Sequence, residues 1–222
     1  MKFAVHIMTL NGESLIEKAI RSISLYSNEI IVYDTGSTDG TQDIVRNLGV
    51  KLLYENVQSI SDWNLRHARL TQILNQMIDF TKSDWILRVD DDEVIPRETG
   101  EEILNLLPEV PVYSIPFLHY EDGHFIDPKC HKKDTFYVAR LFKRNSDIRW
   151  VKPFWVQGKH DGAVLSVGGA QISSRANQLL LCRKLKNPFL HLGELRKSPH
   201  QYNFHEKGHC ALSLGDYAQY IS

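Results

Sequence analysis

Four consecutive carboxylates, Asp90, Asp91, Asp92 and Glu93, close the apolar run in "SDWILRVDDDEVIPRE" at residues 83–98. Such a run reads as a strand buried on both faces, and acids crowded at its mouth repel one another. Two carboxylates about 4 Å apart repel by roughly 4 kcal/mol at an effective dielectric near 20. The cluster therefore asks for a metal ion, basic partners or full exposure to water. Side chains alternate along an extended strand, so Asp90 and Asp92 are expected on one side and Asp91 on the other. A D-x-D spacing of this kind converges two hard oxygen ligands on one point. That suits Mg2+ or Mn2+, which keep coordination positions open for water and phosphate oxygens. An acidic strand end feeding a helix N-terminus at Pro96 to Glu98 accounts for the same residues without a metal.

A second polar segment follows another apolar run. In "NEIIVYDTGSTDGTQDIV" a strand ends at Asp34 and a Gly/Ser/Thr-rich turn leads into a helix, with Ser37, Thr38 or Asp39 available as its N-cap and Gly49 as its stop. The elements that must position these residues alternate between strand and helix up to about residue 110. "KFAVHIMTL" reads as a first strand, "ESLIEKAIRSISLY" as an amphipathic helix, and "VKLLYEN" as a third strand after the one ending at Asp34. Residues 61–81 read as a longer helix and "DWILRVD" as a fourth strand. The expected fold class is α/β, a Rossmann-type, mostly parallel sheet with helices on both faces. Each strand has polar residues at its C-terminal end: Thr9 and Asn11, Asp34, Glu55 and Asn56, then Asp90. Open sheets of this class bind ligands along that edge.

Beyond residue 110 the pattern is less regular. "VYSIPFLHY" and "TFYVARLFKR" read as strands flanking a loop, and the segment from Arg149 to Gly169 reads as a functional loop region instead of a regular element. The last forty residues are expected to form a strand, a loop and a helix. With no internal repeat and no low-complexity linker, residues 1–222 are expected to form a single domain.

Residues 1–110 carry 10 Lys and Arg against 18 Asp and Glu, giving −8, while residues 111–222 carry 16 against 9, giving +7. The basic half suits a polyanion such as a diphosphate, an acidic glycan or nucleic acid. Three widely spaced cysteines, Cys130, Cys182 and Cys210, suggest neither a disulfide framework nor a zinc site. No apolar run approaches the length of a transmembrane helix and the N-terminus has no cleavage site, so a cytoplasmic protein is expected.

Asp34-Thr35-Gly36-Ser37-Thr38-Asp39-Gly40-Thr41, followed some fifty residues later by Val89-Asp90-Asp91-Asp92-Glu93, resembles glycosyltransferase family 2, of GT-A fold. "TLNGE" at Thr9 to Glu13 looks like that family's first-strand end, with Gly12 where many members have Glu. "DWNLRHAR" at Asp62 to Arg69 is similar to its Asp-aromatic-x-x-x-Arg-Asn segment, without the Asn and with the Arg register open between Arg66 and Arg69. "ARLFKRNSDIRW", "GKHDG" and "FLHLG" resemble later family segments.

The resemblance implies a donor site for a nucleoside diphosphate sugar, a UDP-sugar first, with Mn2+ or Mg2+ as cofactor. Thr9, Asn11 and Glu13 would lie near base and ribose, with Asp34 and Asp62 reading the nucleotide. Asp90 would lie by the ribose, and Asp91 and Arg69 belong to the substrate-binding set. Asp92 would take the metal, with Asp90 as a further candidate ligand. His160 and His191 stand where the family supplies a late histidine to the metal or diphosphate, and His191 is the choice for the metal. The implied reaction is an inverting transfer to an acceptor hydroxyl, which needs a general base. Asp161 is the first choice for that base and Asp122 the second. Arg140, Lys143, Arg144 and Lys159 are candidates to hold a diphosphate or an anionic acceptor. His6, His67, His119, His124 and His209 receive no role. Three rival readings are a nucleotidyltransferase, for which "TLNGESLIEKAI" lacks the usual Gly-rich phosphate loop, a transferase acting on nucleic acid, motivated by Trp150, Phe154 and Trp155 among Arg149 and Lys152, and a degenerate module that binds nucleotide sugar or glycan without turnover.

Overall fold

The computed structural model describes residues 2–121, 124–126, 137–145, 147–151, 163–172, 181–195, 211–212 and 219. Strands β1 (Phe3–Thr9), β2 (Glu29–Asp34), β3 (Lys51–Tyr54) and β4 (Trp85–Asp90) run parallel in the order β3-β2-β1-β4. β1 is buried along nearly its whole length, as a central parallel strand covered on both faces must be. Helix α1 (Ile16–Ser24) buries Ile16, Ala19, Ile20 and Ile23, whose 3–4 residue spacing makes one apolar stripe. Together with Val45 of α2 (Thr41–Asn47) and Ile103 of α4 (Arg97–Leu104), that stripe packs on Phe3, Val5, Ile7, Leu87 and Val89. Helix α3 (Trp63–Phe80) covers the opposite face, Ile73 and Met77 against Ile31 and Tyr33, and Leu74 and Ile78 against Ile86. Each such side chain taken fully out of water stabilises the fold by about 1.5–3 kcal/mol before entropy is counted. The fold is thus mixed α/β with helices on both faces, as the sequence pattern predicts.

After β4 the sheet becomes mixed. β5 (Glu93–Val94) leaves the turn at Asp91 and Asp92, and β6 (Val112–Glu121) is the long strand of this half. β8 (Tyr137–Lys143) runs antiparallel between β4 and β6, and β7 (His124–Ile126) pairs antiparallel with the end of β6. β12 (Cys182–Lys184) and β13 (Phe189–His191) both lie parallel to β6, and β13 also pairs antiparallel with β5. β14 (Ala211–Leu212) pairs with β7.

Two expectations are corrected here. Within Arg149 to Gly169, read as loop, the chain forms β9 (Ile148–Val151) and β10 (Val164–Val167), which join β11 (Ala170–Gln171) in an antiparallel sheet. Four-residue strands in charged, Gly-rich surroundings leave too little alternation to detect. Asn75 of α3 ties this sheet down by donating to the Trp150 carbonyl and accepting from its N–H, both at 2.9 Å. The strand expected near the chain's end is two strands, β12 and β13, and a short 3₁₀ turn at Gly193–Leu195 follows them.

Candidate functional site

The loops after β1 and β2 are held by hydrogen bonds within the β2 turn and laced together by others that run between the two loops. Asp34 ends β2 fully buried, and its Oδ1 accepts from the N–H groups of Gly36 at 2.8 Å and Ser37 at 2.7 Å. Gly36 has φ 121°, a conformation that favours glycine, and its turn brings both N–H groups back to the carboxylate. Asn11 has φ 54°, which Asn tolerates better than most residues. Its N–H donates to Ser37 Oγ at 2.8 Å, and its Oδ1 accepts from the Thr38 N–H at 2.9 Å. The Glu13 N–H donates to Asp39 Oδ2 at 3.2 Å, while Asp39 Oδ1 accepts from the N–H and hydroxyl of Thr41. Partial burial alone would raise the Asp39 carboxyl, but these donors hold it below its ordinary value. Asp34 Oδ2, by contrast, is buried with no partner among the described residues. An unpaired carboxylate oxygen is costly to bury, so this one is a ready acceptor for an incoming donor.

The four acids that end β4 do not point along one alternating row. The strand stops at Asp90 and the chain turns through Asp91 and Asp92, so that Asp90 and Glu93 share Arg140 while Asp91 and Asp92 meet other partners. Asp90 accepts from Arg140 at 2.6 and 3.3 Å and from Arg88 at 3.0 Å. Glu93, 1% exposed, accepts from Arg140 at 3.0 Å and from the Asp90 N–H at 2.7 Å. Burial would raise the Asp90 carboxyl, but Arg140 and Arg88 outweigh it and hold the group well below the usual range. Burial raises Glu93 well above its usual value, and Arg140 does not offset this with Asp90 and Asp92 alongside. Two carboxylates that share one guanidinium are thus pushed in opposite directions, Asp90 down and Glu93 up. Arg140 also lies over the Phe117 ring at 5.5 Å, and Arg88 over Trp150 at 5.2 Å.

Asp91 turns toward β1, where its Oδ2 accepts from Thr9 Oγ1 at 2.5 Å. A Cβ on Gly12 would stand 2.5 Å from that oxygen and 2.6 Å from Thr9 Oγ1, so the glycine is what lets the loop close over the pair. Asp92 Oδ2 lies 3.6 Å from His191 Nε2, and the Leu192 N–H donates to the Asp92 carbonyl at 2.8 Å. Donors about 2.1 Å from a common ion stand about 3 Å apart when adjacent and about 4 Å when opposite, so at 3.6 Å a small rotation of either side chain would bring this pair onto one divalent cation. Gly193 faces the pair: a Cβ there would be 2.8 Å from His191 Cε1 and 3.2 Å from Asp92 Oδ2. Among the described residues no group of three or more His, Cys, Asp or Glu is arranged to hold a metal. Two protein ligands would leave the remaining positions to water and phosphate oxygens, the habit of Mg2+.

Of the residues singled out in the sequence, Thr9, Asn11, Glu13, Asp34, Asp90, Asp91 and Asp92 sit at or just past the C-terminal ends of β1, β2 and β4. His191 joins them from β13. Both Asp90 oxygens are engaged by arginines, and His191 is among the groups that lower its carboxyl, so Asp90 and Asp92 both lie within electrostatic reach of that histidine. The expectation for Arg140 is corrected: it is a buried counter-ion of Asp90 and Glu93, and Arg144 donates to the Ser83 carbonyl at 2.9 Å. Asp62 is the exposed N-cap of α3, accepting from the Leu65 N–H at 2.8 Å. Arg69 grips Glu55 through two hydrogen bonds of 2.7 and 2.5 Å, and Tyr33 donates to the same carboxylate at 3.1 Å. Arg66 donates to the Ile60 carbonyl at 2.9 and 2.7 Å. Trp150, offered as a stacking platform for nucleic acid, is 4% exposed and packs edge-on against Phe142. Asp161, Asp122 and His160 lie outside the described residues. His119, given no role, contacts His191, and its place in an apolar strand run carried no signal of that contact.

Residues 4–160 match the family described as Glycosyl transferase family 2. A TPR repeat-containing protein of Synechococcus elongatus is 30% identical over 142 residues, covering 63% of this chain and 31% of that protein. An uncharacterized glycosyltransferase of Rickettsia typhi is 32% identical over 102 residues, 46% of this chain and 32% of its own length. The prophage-derived glycosyltransferase SunS of Bacillus subtilis is 27% identical over 151 residues, 65% of this chain and 32% of SunS. The chain therefore spans about a third of the length of the curated relatives it matches. Among solved structures, S. aureus TarS 1-349 superposes with a TM-score of 0.56 at 18% identity, over 87% of this chain and 61% of that one. The same fragment in complex with UDP-GlcNAc gives 0.53 over 86% and 58%. TarS shares the fold.

Proposed function

The chain belongs to glycosyl transferase family 2, and from that premise we propose that it moves a sugar from a nucleoside diphosphate donor to an acceptor hydroxyl, with inversion and with a divalent cation. The observation that carries this reading is the Asp92 and His191 pair, 3.6 Å apart beside Gly193, at the sheet edge where the β1 and β2 loops meet. UDP-sugar is the donor class, in line with the UDP-GlcNAc complex of TarS. Asp34 Oδ2 would accept the ring N–H of a pyrimidine base, an interaction that relieves an otherwise unpaired buried oxygen. Thr9, Asn11 and Glu13 line the same edge, with Asp91 held against Thr9, and Asp90 belongs there through its arginines as a shaping group. Asp62 and Arg69 belong to the nucleotide reading only if a donor draws them from the cap and the ion pair they now form.

Asp92 and His191 would hold Mn2+ or Mg2+. When bound, that ion offsets the negative charge developing on the diphosphate leaving group. A carboxylate on the acceptor side takes the hydroxyl proton as the bond to the anomeric carbon forms; Asp161 is our choice and Asp122 the second. Residues 1–110 then serve the donor and 111–222 the acceptor, within one domain.

A thermal-shift series tests the reading, since a ligand that binds only the native state raises its melting temperature. A UDP-sugar should raise it in the presence of Mn2+ and not in EDTA, and more than the GDP, CDP or TDP sugars. Asp92→Asn should abolish that shift. Asp161→Asn should keep it while turnover falls by roughly 10² to 10⁴. Equal shifts in EDTA would remove the metal from the scheme. Retained binding with no turnover of any donor would leave a binding module.

A further inference from the structure

Resting on the metal reading above, we propose that His119 is a positioning residue for that site: it sets the tautomer and ring angle of His191, so that Nε2 presents its lone pair beside Asp92. The parallel register of β13 on β6 places His191 directly across from His119, and Phe189 across from Phe117. On the other side of β13, His191 lies across from Glu93 of β5. The two histidines therefore share one face of adjoining strands, and a slip of one residue would turn the ring away. Their Nδ1 atoms are 3.1 Å apart, with ring centroids at 4.8 Å and planes inclined by 65°. His119 stacks on Phe117 at 6.4 Å, and Phe117 meets Phe189 edge-on at 5.6 Å. The aromatic packing leaves His119 little rotational freedom.

Two imidazole nitrogens facing one another share a single proton. A histidine that binds a cation through Nε2 carries its proton on Nδ1, and that N–H needs an acceptor which fixes the ring. His191 is then the donor, and His119 accepts on Nδ1 with its own proton on Nε2. The missing Cβ at Gly193 keeps the other side of the His191 ring and the Asp92 carboxylate clear. Metal histidines are commonly oriented by a carboxylate or a carbonyl; here a second histidine fills that position.

The test measures Mn2+ affinity in the presence of UDP, by calorimetry and by the electron paramagnetic resonance of free Mn2+, so it does not depend on turnover. Asparagine carries its side-chain carbonyl where histidine carries Nδ1, while phenylalanine has no acceptor and glutamine places its amide at the Nε2 position. His119→Phe and His119→Gln should weaken Mn2+ binding by about 10–100-fold, and His119→Asn should return it to within about threefold of the parent. Wild-type affinity in His119→Phe, or in His119→Gln should the phenylalanine variant not fold, would overturn the proposal. So would His119→Asn binding as weakly as the others. If the unsubstituted protein with UDP takes up no Mn2+, it is the metal reading itself that falls.

Discussion

At the ends of β1 and β2 the polar side chains are held by N–H groups and hydroxyls of their own loops; past β4 they are held by side chains from strands distant in sequence. Asp34 closes on Gly36 and Ser37 within three residues. Asp90 reaches Arg140, fifty residues on, and Asp92 meets His191 only because β13 threads between β5 and β6. The first arrangement needs a turn; the second needs the whole sheet. The two regions therefore differ in what a substitution breaks.

The largest expected effect lies in the long-range region. Arg140→Met leaves the buried Glu93 and the half-buried Asp90 without their shared counter-ion and should destabilise the protein by about 3–5 kcal/mol in urea unfolding at neutral pH. A loss below about 1 kcal/mol would place this network on a level with an exposed ion pair and dissolve the contrast.

Where the two regions meet, at Thr9 and Asp91, the strongest effect should come from crowding. Gly12→Ala drives a methyl into the Asp91 and Thr9 pair, at 2.5 and 2.6 Å, and overpacking of this kind costs about 1–3 kcal/mol. Unfolding midpoints at constant m-value measure it, and an unchanged midpoint would show that the loop after β1 shifts freely.

A pH experiment sharpens the comparison in β1. His6 is 1% exposed, its Nε2 is 2.6 Å from Thr81 Oγ1, and burial lowers its pKa from 6.5 to about 3, with Arg88 adding to the effect. The unfolded chain takes up a proton below pH 6.5 that the native chain refuses until near pH 3. This contribution therefore removes stability as the pH falls through that window and vanishes above it. Between pH 7 and 5 it amounts to about 2 kcal/mol, and His6→Gln should lack that part of the pH dependence. Parallel stability curves for the two proteins would mean that His6 charges freely in the native state.

The smallest effect is expected at Glu55, whose pair with Arg69 is partly open to water. Glu55→Gln should change stability by less than about 1 kcal/mol. A marked change in UDP affinity in the same variant would draw Arg69 into the donor site.

What was legible in the sequence follows the same division. The four parallel strands, the helices between them and the acids at their ends announce themselves through apolar runs, turn glycines and caps within a few residues of each other. Asp62 was visible too, yet its carboxylate caps a helix, because a short polar residue before an amphipathic run looks the same whether it binds N–H groups of the helix or of a ligand. Alternation gave no sign that both Asp90 oxygens meet arginines, since nothing local marks those partners. Arg140 and His119 each sit in a run that reads as an ordinary strand, and their partners are set by pairings that periodicity does not encode.

The pairing of β13 between β5 and β6 also has a kinetic meaning. Asp92 and His191 are separated by about a hundred residues, and contacts of such long sequence separation form only after the loop-closure entropy between them has been met. Among the described residues β5 pairs with β13 alone, so the turn that carries Asp91 and Asp92 gains this strand partner when that distant segment arrives. Refolding followed by tryptophan fluorescence should therefore run ahead of refolding followed by recovery of Mn2+ uptake, making the site a late reporter of chain assembly.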